Sequence, residues 1–142
     1  MKGIHLDRFD NRMAFEMASK VIELARSRNH HIAVEIARLH HTVFLYIDDE
    51  LPMGKHNWLR RKANVAKQFE ESSLAVKNEL KEGNMTLEST FGLNEKDFIA
   101  RGGSIPIFVD GAGMVATITV SGLKDTDDHQ LIVDALPGFS FI

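Results

Sequence analysis

A lysine on an otherwise apolar helix face is the first residue of this sequence that could do chemistry. When successive residues are turned by about 100°, Lys62 falls within a stripe formed by Trp58, Val65, Phe69, Val76 and Leu80. Its ammonium either meets a structural carboxylate such as Glu35 while its stem packs, or presents charge to an anionic ligand group. Arg61 lies at the margin of the stripe and would join Lys62 in the second case.

His129 is the second candidate, because it shares the apolar side of the last predicted helix. Residues of that side follow at i+3, i+4 and i+7, and they are Ile132, Val133 and Leu136. A helix N-terminus disfavours imidazolium, so the ring would be neutral and able to ligate a metal or act as a base. The alternative is a core histidine that hydrogen-bonds to backbone. Asp127 and Asp128 are explained as a cap and as partners of the helix dipole.

A glycine pattern later in the chain has the spacing of a dinucleotide-binding loop. Residues 111–116 read GAGMVA, which fits G-x-G-x-x-A. A dinucleotide site needs a helix directly after this loop and an acidic residue about 20 positions later at a strand end. The β-branched residues 117–120 follow instead, and Asp134 lies in a predicted helix. We therefore interpret the glycines as a hairpin turn, with Asp110-Gly111 as its turn dipeptide.

Composition narrows the classes of function. The chain has 142 residues, no cysteine and a formal net charge of -3, which excludes disulfides and thiolate metal sites and disfavours nucleic acid as a partner. No apolar run approaches the ~18 residues of a membrane span. The paired histidines lack the spacing of a metal site, so none is expected. We expect a single cytoplasmic domain over residues 1–142 with neither a nucleic-acid nor a membrane partner.

The elements that must position these residues alternate helices with hairpins. Apolar periodicity predicts helices over 10–29, 55–82 and 127–136, with short helical turns over 86–90 and 94–100. Asp127 and Gln130 would form a capping-box-like pair in the last helix. Alternation and turn residues predict strands over 31–39, 42–49, 105–109 and 114–121. Hairpins separated by a helix favour an α/β fold of the α+β kind, with an antiparallel sheet, over a doubly wound parallel sheet.

Four motifs in a fixed order resemble a known family. They are Phe9-Asp10-Asn11-Arg12, Trp58-x-Arg60-Arg61-Lys62-x-Asn64 followed by Phe69 and Ser72-Ser73, Gly102-Gly103-Ser104-x-Pro106-Ile107, and Val120-Ser121-Gly122-Leu123 with Asp128-His129. The set resembles a branch of the HbpS-like group. That group includes GlcG-like proteins and the PduO C-terminal domain and is often labelled a haem-degrading domain. The similarity covers nearly the whole chain.

The resemblance implies a profilin-like or GlcG-like fold, assembled as a homo-oligomer. A five-stranded antiparallel sheet would lie between helical layers, one strand more than the residues themselves predict. Some members bind haem or a corrinoid, so a tetrapyrrole or another small anionic molecule is the implied ligand. The positions shared with the branch become candidates for a common site, namely Trp58, Arg61, Lys62, Asn64, Gly103, Ser104 and His129.

Three functions remain as alternatives. In a small-ligand-binding protein, Lys62 and Arg61 would hold carboxylates and His129 would contact the ligand ring or its metal. In an oligomeric scaffold or adaptor, the same residues would stabilise subunit contacts. In an enzyme acting on a small organic acid, His129 would be the base and Lys62 an electrostatic clamp. The sequence supplies no recognisable nucleophile, so the enzyme ranks last. We expect any pocket to border the strand exit at residues 120–122.

Overall fold

A mixed six-stranded sheet organises the chain in the computed structural model, which describes the backbone of residues 1–142 and all side chains except those at 53, 55 and 56. In chain order the elements are β1 (Ile4–Leu6), α1 (Asn11–Ser27), β2 (Ala33–Arg38), β3 (Thr42–Ile47), α2 (Met53–Phe69), α3 (Ser73–Glu82), α4 (Leu87–Phe91), β4 (Ser104–Val109), β5 (Gly113–Ser121), α5 (Asp125–Ala135) and β6 (Ser140–Phe141). The strand order is β3-β2-β5-β4-β1-β6. The α+β class is therefore confirmed.

The sheet has two short strands that the sequence did not predict, β1 and β6, at one end of the strand order. The four predicted strands are present as β2, β3, β4 and β5. β1 and β6 are three and two residues long, which is too short for an alternating pattern to be recognised in the sequence. The sheet therefore has six strands where five were expected, and it is not wholly antiparallel, because β1 runs parallel to β4.

The glycine pattern forms the turn between β4 and β5. Val109 pairs with Gly113 across this hairpin, and Gly111 and Gly113 have φ values of 81° and 78°. These left-handed conformations favour glycine for backbone reasons alone. The interpretation as a hairpin turn is thus confirmed.

The long helix predicted over 55–82 is wrong, because the chain breaks it into α2 and α3. Glu70 ends α2 in the left-handed conformation, with a φ of 52°. The Ser72 hydroxyl then accepts a hydrogen bond from the Ala75 amide at 3.2 Å and caps α3. As a consequence, Val76 and Leu80 continue the predicted stripe on a separate helix.

Two other predicted boundaries also differ. The last helix begins at Asp125 with Lys124 as its N-cap, so the capping-box-like pair is wrong, and Gln130 instead donates to Asp134 at 2.8 Å. The helical turn predicted over 94–100 is shorter: the chain forms a single hydrogen-bonded turn at residues 95–97. None of the described helices is long and apolar enough to cross a bilayer.

Helices cover both faces of the sheet, as expected. On one face, α1 and α5 pack against the main hydrophobic core, which includes Met17, Val21, Ile36, Ile105, Ile118 and Leu131. On the other face, α2 crosses β2, β4 and β5. A second, smaller cluster lies between α2, α3 and α4, and it comprises Val65, Val76, Leu80 and Leu87 with Phe69, Met85, Leu93, Phe98 and Ala100 packed against them.

Candidate functional site

The side chain of Lys62, a residue of α2, is buried in an ion pair. Its side chain is 1% exposed, and its Nζ donates to Asp128 Oδ2 at 2.8 Å and to the Val120 carbonyl at 3.0 Å. Its Nζ also lies 5.9 Å from the ring centroid of Trp58, one helical turn earlier. The structure therefore gives Lys62 a carboxylate partner, but the partner is Asp128, whereas Glu35 accepts a hydrogen bond from a threonine on β3. The ion pair ties α2 to the end of β5 and to α5.

Gly103 provides the space for this ion pair. Its φ is 131°, in the left-handed region that favours glycine. A Cβ at this position would lie 2.5 Å from the Val120 carbonyl oxygen and 2.8 Å from Lys62 Nζ. Trp58, Lys62 and Gly103, three of the sequence candidates, are therefore brought together.

The sheet face beneath α2 carries hydroxyls in place of large apolar side chains. Ser104, the next candidate, is fully buried; its amide donates to Ser73 Oγ at 2.9 Å and its hydroxyl shares a hydrogen bond with Thr119 at 2.9 Å. Thr117 and Ser121 are buried beside them, and their hydroxyl oxygens have no hydrogen-bond partner within the described part of the chain. Ser104 thus belongs to the polar packing surface under α2.

His129 has surroundings of its own at the start of α5. It is 8% exposed, and its Nδ1 has no hydrogen-bond partner among the described atoms. Burial lowers the pKa of His129, and the positive charge of the Met1 amino group lowers it further. A lowered pKa favours the neutral ring. No group of three or more described His, Asp or Glu side chains is arranged to hold a metal ion.

Arg61 and Asn64 reach towards a different region, the turn at residues 94–98. Together with Arg60, they donate to three successive backbone carbonyls. The bonds are Arg61 Nε to Glu95 O at 3.0 Å, Arg60 Nη2 to Lys96 O at 3.0 Å and Asn64 Nδ2 to Asp97 O at 2.7 Å. The sequence motif that contains these residues therefore docks a loop onto α2, and the seven candidates lie in three different environments.

Arg61 also borders a cavity of about 620 Å³, on the side of α2 that faces α3 and α4. Its apolar lining includes Leu80, Met85, Leu87, Phe98, Ile99 and Ala100, and its charged lining comprises Arg61, Lys77, Lys81, Glu88, Glu95 and Arg101. Small-molecule pockets typically measure about 300–1,000 Å³. The chain carries a net charge of -3, yet four cations face two carboxylates here. Residues 120–122, where a pocket was expected, are not part of this lining.

Asp125 fixes the end of the cavity where Lys77 and Arg101 lie. Lys77 Nζ and the Gly102 amide both donate to Asp125 Oδ2, at 2.7 Å and 3.1 Å. Burial raises the pKa of Asp125, but these two hydrogen bonds, together with the positive charges of Lys77 and Arg101, lower it by more, so the pKa is lowered overall. Lys77 is therefore neutralised by a protein carboxylate, whereas Lys81 and Arg101 form no ion pair among the described side chains.

Sequence reasoning missed most of this cavity. Lys77 and Lys81 are spaced i, i+4 on α3, a pattern that places two cations on one helix face. Arg101 and Glu95 belong to a loop, and nothing in their spacing indicates that they meet that face. Asp128 was assigned to the helix dipole, because its partner Lys62 lies 66 positions earlier.

The sequence of this chain matches a known protein family. The sequence model of the family described as "Haem degrading protein HbpS-like" matches residues 9–137. A UPF0303 protein of Zymomonas mobilis is 38% identical over 135 residues, covering 95% of this chain and 73% of that protein. The crystal structure of Ybr137w superposes with a TM-score of 0.84 at 24% identity, covering 93% of this chain and 78% of that one. A PduOC complex with haem superposes with a TM-score of 0.77 at 13% identity, covering 93% and 96%.

Proposed function

The chain belongs to the HbpS-like family, and from that premise we propose that it binds a small amphipathic anion in the cavity beside α2. One observation carries the proposal, an apolar cavity of about 620 Å³ with Arg61, Lys77, Lys81 and Arg101 on its border. Guanidinium and ammonium groups recognise carboxylate, sulfonate and phosphate, while the apolar lining accepts the body of the ligand.

Lys81 and Arg101 are the cations best placed to receive the ligand's anionic group. Lys77 is already paired with Asp125 at 2.7 Å, and Arg61 is hydrogen-bonded to the Glu95 carbonyl at 3.0 Å. A ligand that met Lys81 and Arg101 would displace water from two exposed cations and break no protein ion pair. This division of roles supports binding through the α3 side of the cavity.

Haem is the ligand suggested by the family description and by the haem complex of PduOC. The cavity lining fits the carboxylates of a haem better than its iron. Histidine, cysteine, methionine and tyrosine are the usual axial ligands, and Met85 alone represents them among the described lining residues. We therefore propose a metal-free amphipathic anion as the ligand, with haem as the competitor to be tested.

The test uses anilinonaphthalene sulfonate, a probe with an aromatic body and one sulfonate. We expect saturable binding at one site, and the double variant Lys81→Glu, Arg101→Glu should lower the affinity about tenfold or more, which corresponds to ~1.4 kcal/mol. The matched control is Arg12→Glu with Lys20→Glu, which makes the same change of charge on α1, across the sheet. Absence of saturable binding, or an equal loss in the control, would overturn the proposal.

Hemin provides the second arm of the test. A Soret shift that is lost in His129→Ala would show that the iron meets the histidine at α5 and not the cavity lining. A shift that is lost in the double variant and retained in His129→Ala would place haem in the cavity. An unchanged hemin spectrum at equimolar protein, together with binding of the sulfonate probe, is the result that we expect.

An oligomeric scaffold is the second candidate, and the free edge of the sheet favours it. β3 ends the strand order, and Leu45 on this strand is 51% exposed. An unpaired edge strand with an exposed apolar residue is a surface on which a second copy can pair. We propose that the homo-oligomer implied by the resemblance forms here, and Leu45→Lys should then halve the mass measured by light scattering. An unchanged mass would contradict this assignment of the interface.

The enzyme alternative gains no support from the two residues that suggested it. Lys62 is 1% exposed and bound to Asp128, so its charge is balanced within the protein, and neither Lys62 nor His129 is in the cavity lining.

The cytoplasmic location of the protein stays a prediction.

A further inference from the structure

We infer that Arg60 and Asn64 are positioning residues for ligand binding: they hold residues 94–101, here named the wall segment, in the shape that closes the cavity. This inference rests on the proposed function. It assigns a role to two α2 side chains that do not themselves line the cavity of about 620 Å³.

The wall segment supplies a large part of the cavity surface. Its lining residues are Glu95, Phe98, Ile99, Ala100 and Arg101. They include Arg101, one of the cavity cations that form no ion pair among the described side chains, and Phe98 also packs against the cluster between α2, α3 and α4. A displacement of this segment would therefore change the apolar wall and the anion-recognising group together.

The wall segment has no helix or strand to hold its shape. A local turn forms at Asn94, whose carbonyl accepts from the amides of Asp97 and Phe98 at 3.0 Å each. At its far end the chain is fixed where the Gly102 amide donates to Asp125 at 3.1 Å. Between these points, the position of the turn is set by the bonds that Arg60, Arg61 and Asn64 make to three consecutive carbonyls.

These bonds are accessible to solvent, which makes the position of the wall segment adjustable. Arg60 and Asp97 form an ion pair at 2.9 Å, and their side chains are 52% and 53% exposed. Exposed pairs of this kind contribute little to global stability, and segments with few buried contacts open locally at low cost. Losing them should therefore loosen the wall segment while the sheet and its cores remain folded.

Arg61 both holds the wall segment and lines the cavity. Its guanidinium donates to the Glu95 carbonyl at 3.0 Å, its own backbone carbonyl accepts from the Ile99 amide at 3.3 Å, and its side chain lines the cavity. Ligand binding near Arg61 and the order of the wall segment are therefore coupled. Arg60 and Asn64 hold the next two carbonyls of the wall segment, those of Lys96 and Asp97.

The experiment substitutes Asn64→Leu, which removes the amide donor and leaves every charge of the cavity unchanged. The matched control is Gln68→Leu, one turn later on α2 at an exposed position. We expect amide exchange at residues 95–99 to accelerate roughly tenfold, in line with the loss of one net hydrogen bond, with protection elsewhere retained. The dissociation constant for anilinonaphthalene sulfonate should rise about threefold to tenfold, and Arg60→Ala should act in the same direction.

The outcomes separate this inference from the proposed function. If the wild-type protein binds the probe and Asn64→Leu accelerates exchange without weakening binding, the wall segment does not position the site and the inference is overturned. Unchanged exchange at 95–99 overturns it equally. If the wild-type protein fails to bind the probe at all, the proposed function fails first, and the role of Arg60 and Asn64 in ligand binding falls with it.

Discussion

The two faces of the sheet are packed in opposite ways by the same strands. Towards α1 and α5, β4 and β5 present fully buried aliphatic side chains, namely Ile105, Ile107, Ile118 and Val120. Alternate residues of these strands, which point towards α2, are Ser104, Pro106, Thr117, Thr119 and Ser121. One face is thus held by aliphatic volume, and the other by hydroxyls, small side chains and one buried ion pair.

The polar face explains why an otherwise apolar helix stripe can carry a lysine. On the aliphatic face, any side chain of suitable size contributes to stability. On the polar face, Lys62 must meet both Asp128 and the Val120 carbonyl, at 2.8 Å and 3.0 Å, because an unpaired buried charge is costly. The ion pair therefore joins α2, α5 and the end of β5 at one buried point.

Breaking the ion pair should produce the largest effect. Lys62→Met keeps the volume of the side chain and leaves the Asp128 carboxylate buried, with the Leu123 amide still donating to it at 2.9 Å. We expect the free energy of unfolding to fall by about 3–5 kcal/mol, as is usual when one partner of a buried pair is removed. Urea denaturation followed by circular dichroism measures it.

The double variant Lys62→Met, Asp128→Leu tests whether the loss arises from the unpaired charge. Since replacing both members of a buried pair is often neutral, most of the lost stability should return. A double variant that loses at least as much as the single one would show that the polar face depends on the specific hydrogen bonds and not on charge balance.

The burial of Lys62 could be predicted from helical phase, but its partner could not. Asp128 lies in the first turn of α5, where an acidic residue already has a local explanation, and a distance of 66 positions hides the pairing. The break at Glu70 was equally hidden, because glutamate is an ordinary helix former. Gly103 and the end of β5 belong to motifs that the sequence shows, and in the structure both lie against Lys62.

The cavity was the least predictable feature. Its lining comes from α2, α3, α4 and the wall segment, and a sequence pattern describes each of these separately. Only their tertiary arrangement places Lys81 and Arg101 on the border of one cavity, and the wall segment is hydrogen-bonded to side chains of α2. Periodicity can find the faces of elements, whereas a site assembled from helix ends and a loop has no period.

Thr117 and Ile118 are adjacent on β5 and lie on opposite faces of the sheet, so replacing each by valine probes both faces. Ile118→Val removes one methylene from the aliphatic face and should lower stability by about 0.5–1.5 kcal/mol. Thr117→Val replaces a hydroxyl that has no partner within the described residues, so we expect no loss and a gain of up to about 1 kcal/mol. Both are measured by urea denaturation. A larger loss for Thr117→Val than for Ile118→Val would reverse the distinction between the faces.

His129, in the first turn of α5, should produce the smallest of these effects at neutral pH, and its effect should grow as the pH falls. Burial and the positive charge of the Met1 amino group lower its pKa in the folded protein. As the pH falls below about 6.5, the unfolded chain binds a proton that the folded chain does not. The free energy of unfolding therefore falls until the pH reaches the lowered folded pKa, by at most about 1.4 kcal/mol per pH unit.

His129→Phe should remove this contribution, so that the melting temperature of the wild type declines faster than that of the variant between pH 7 and pH 5. His40→Phe, at an exposed position, controls for the loss of one imidazole. Parallel curves for the wild type and His129→Phe would mean that the buried ring takes up its proton without cost, and that the start of α5 is more hydrated than its burial indicates.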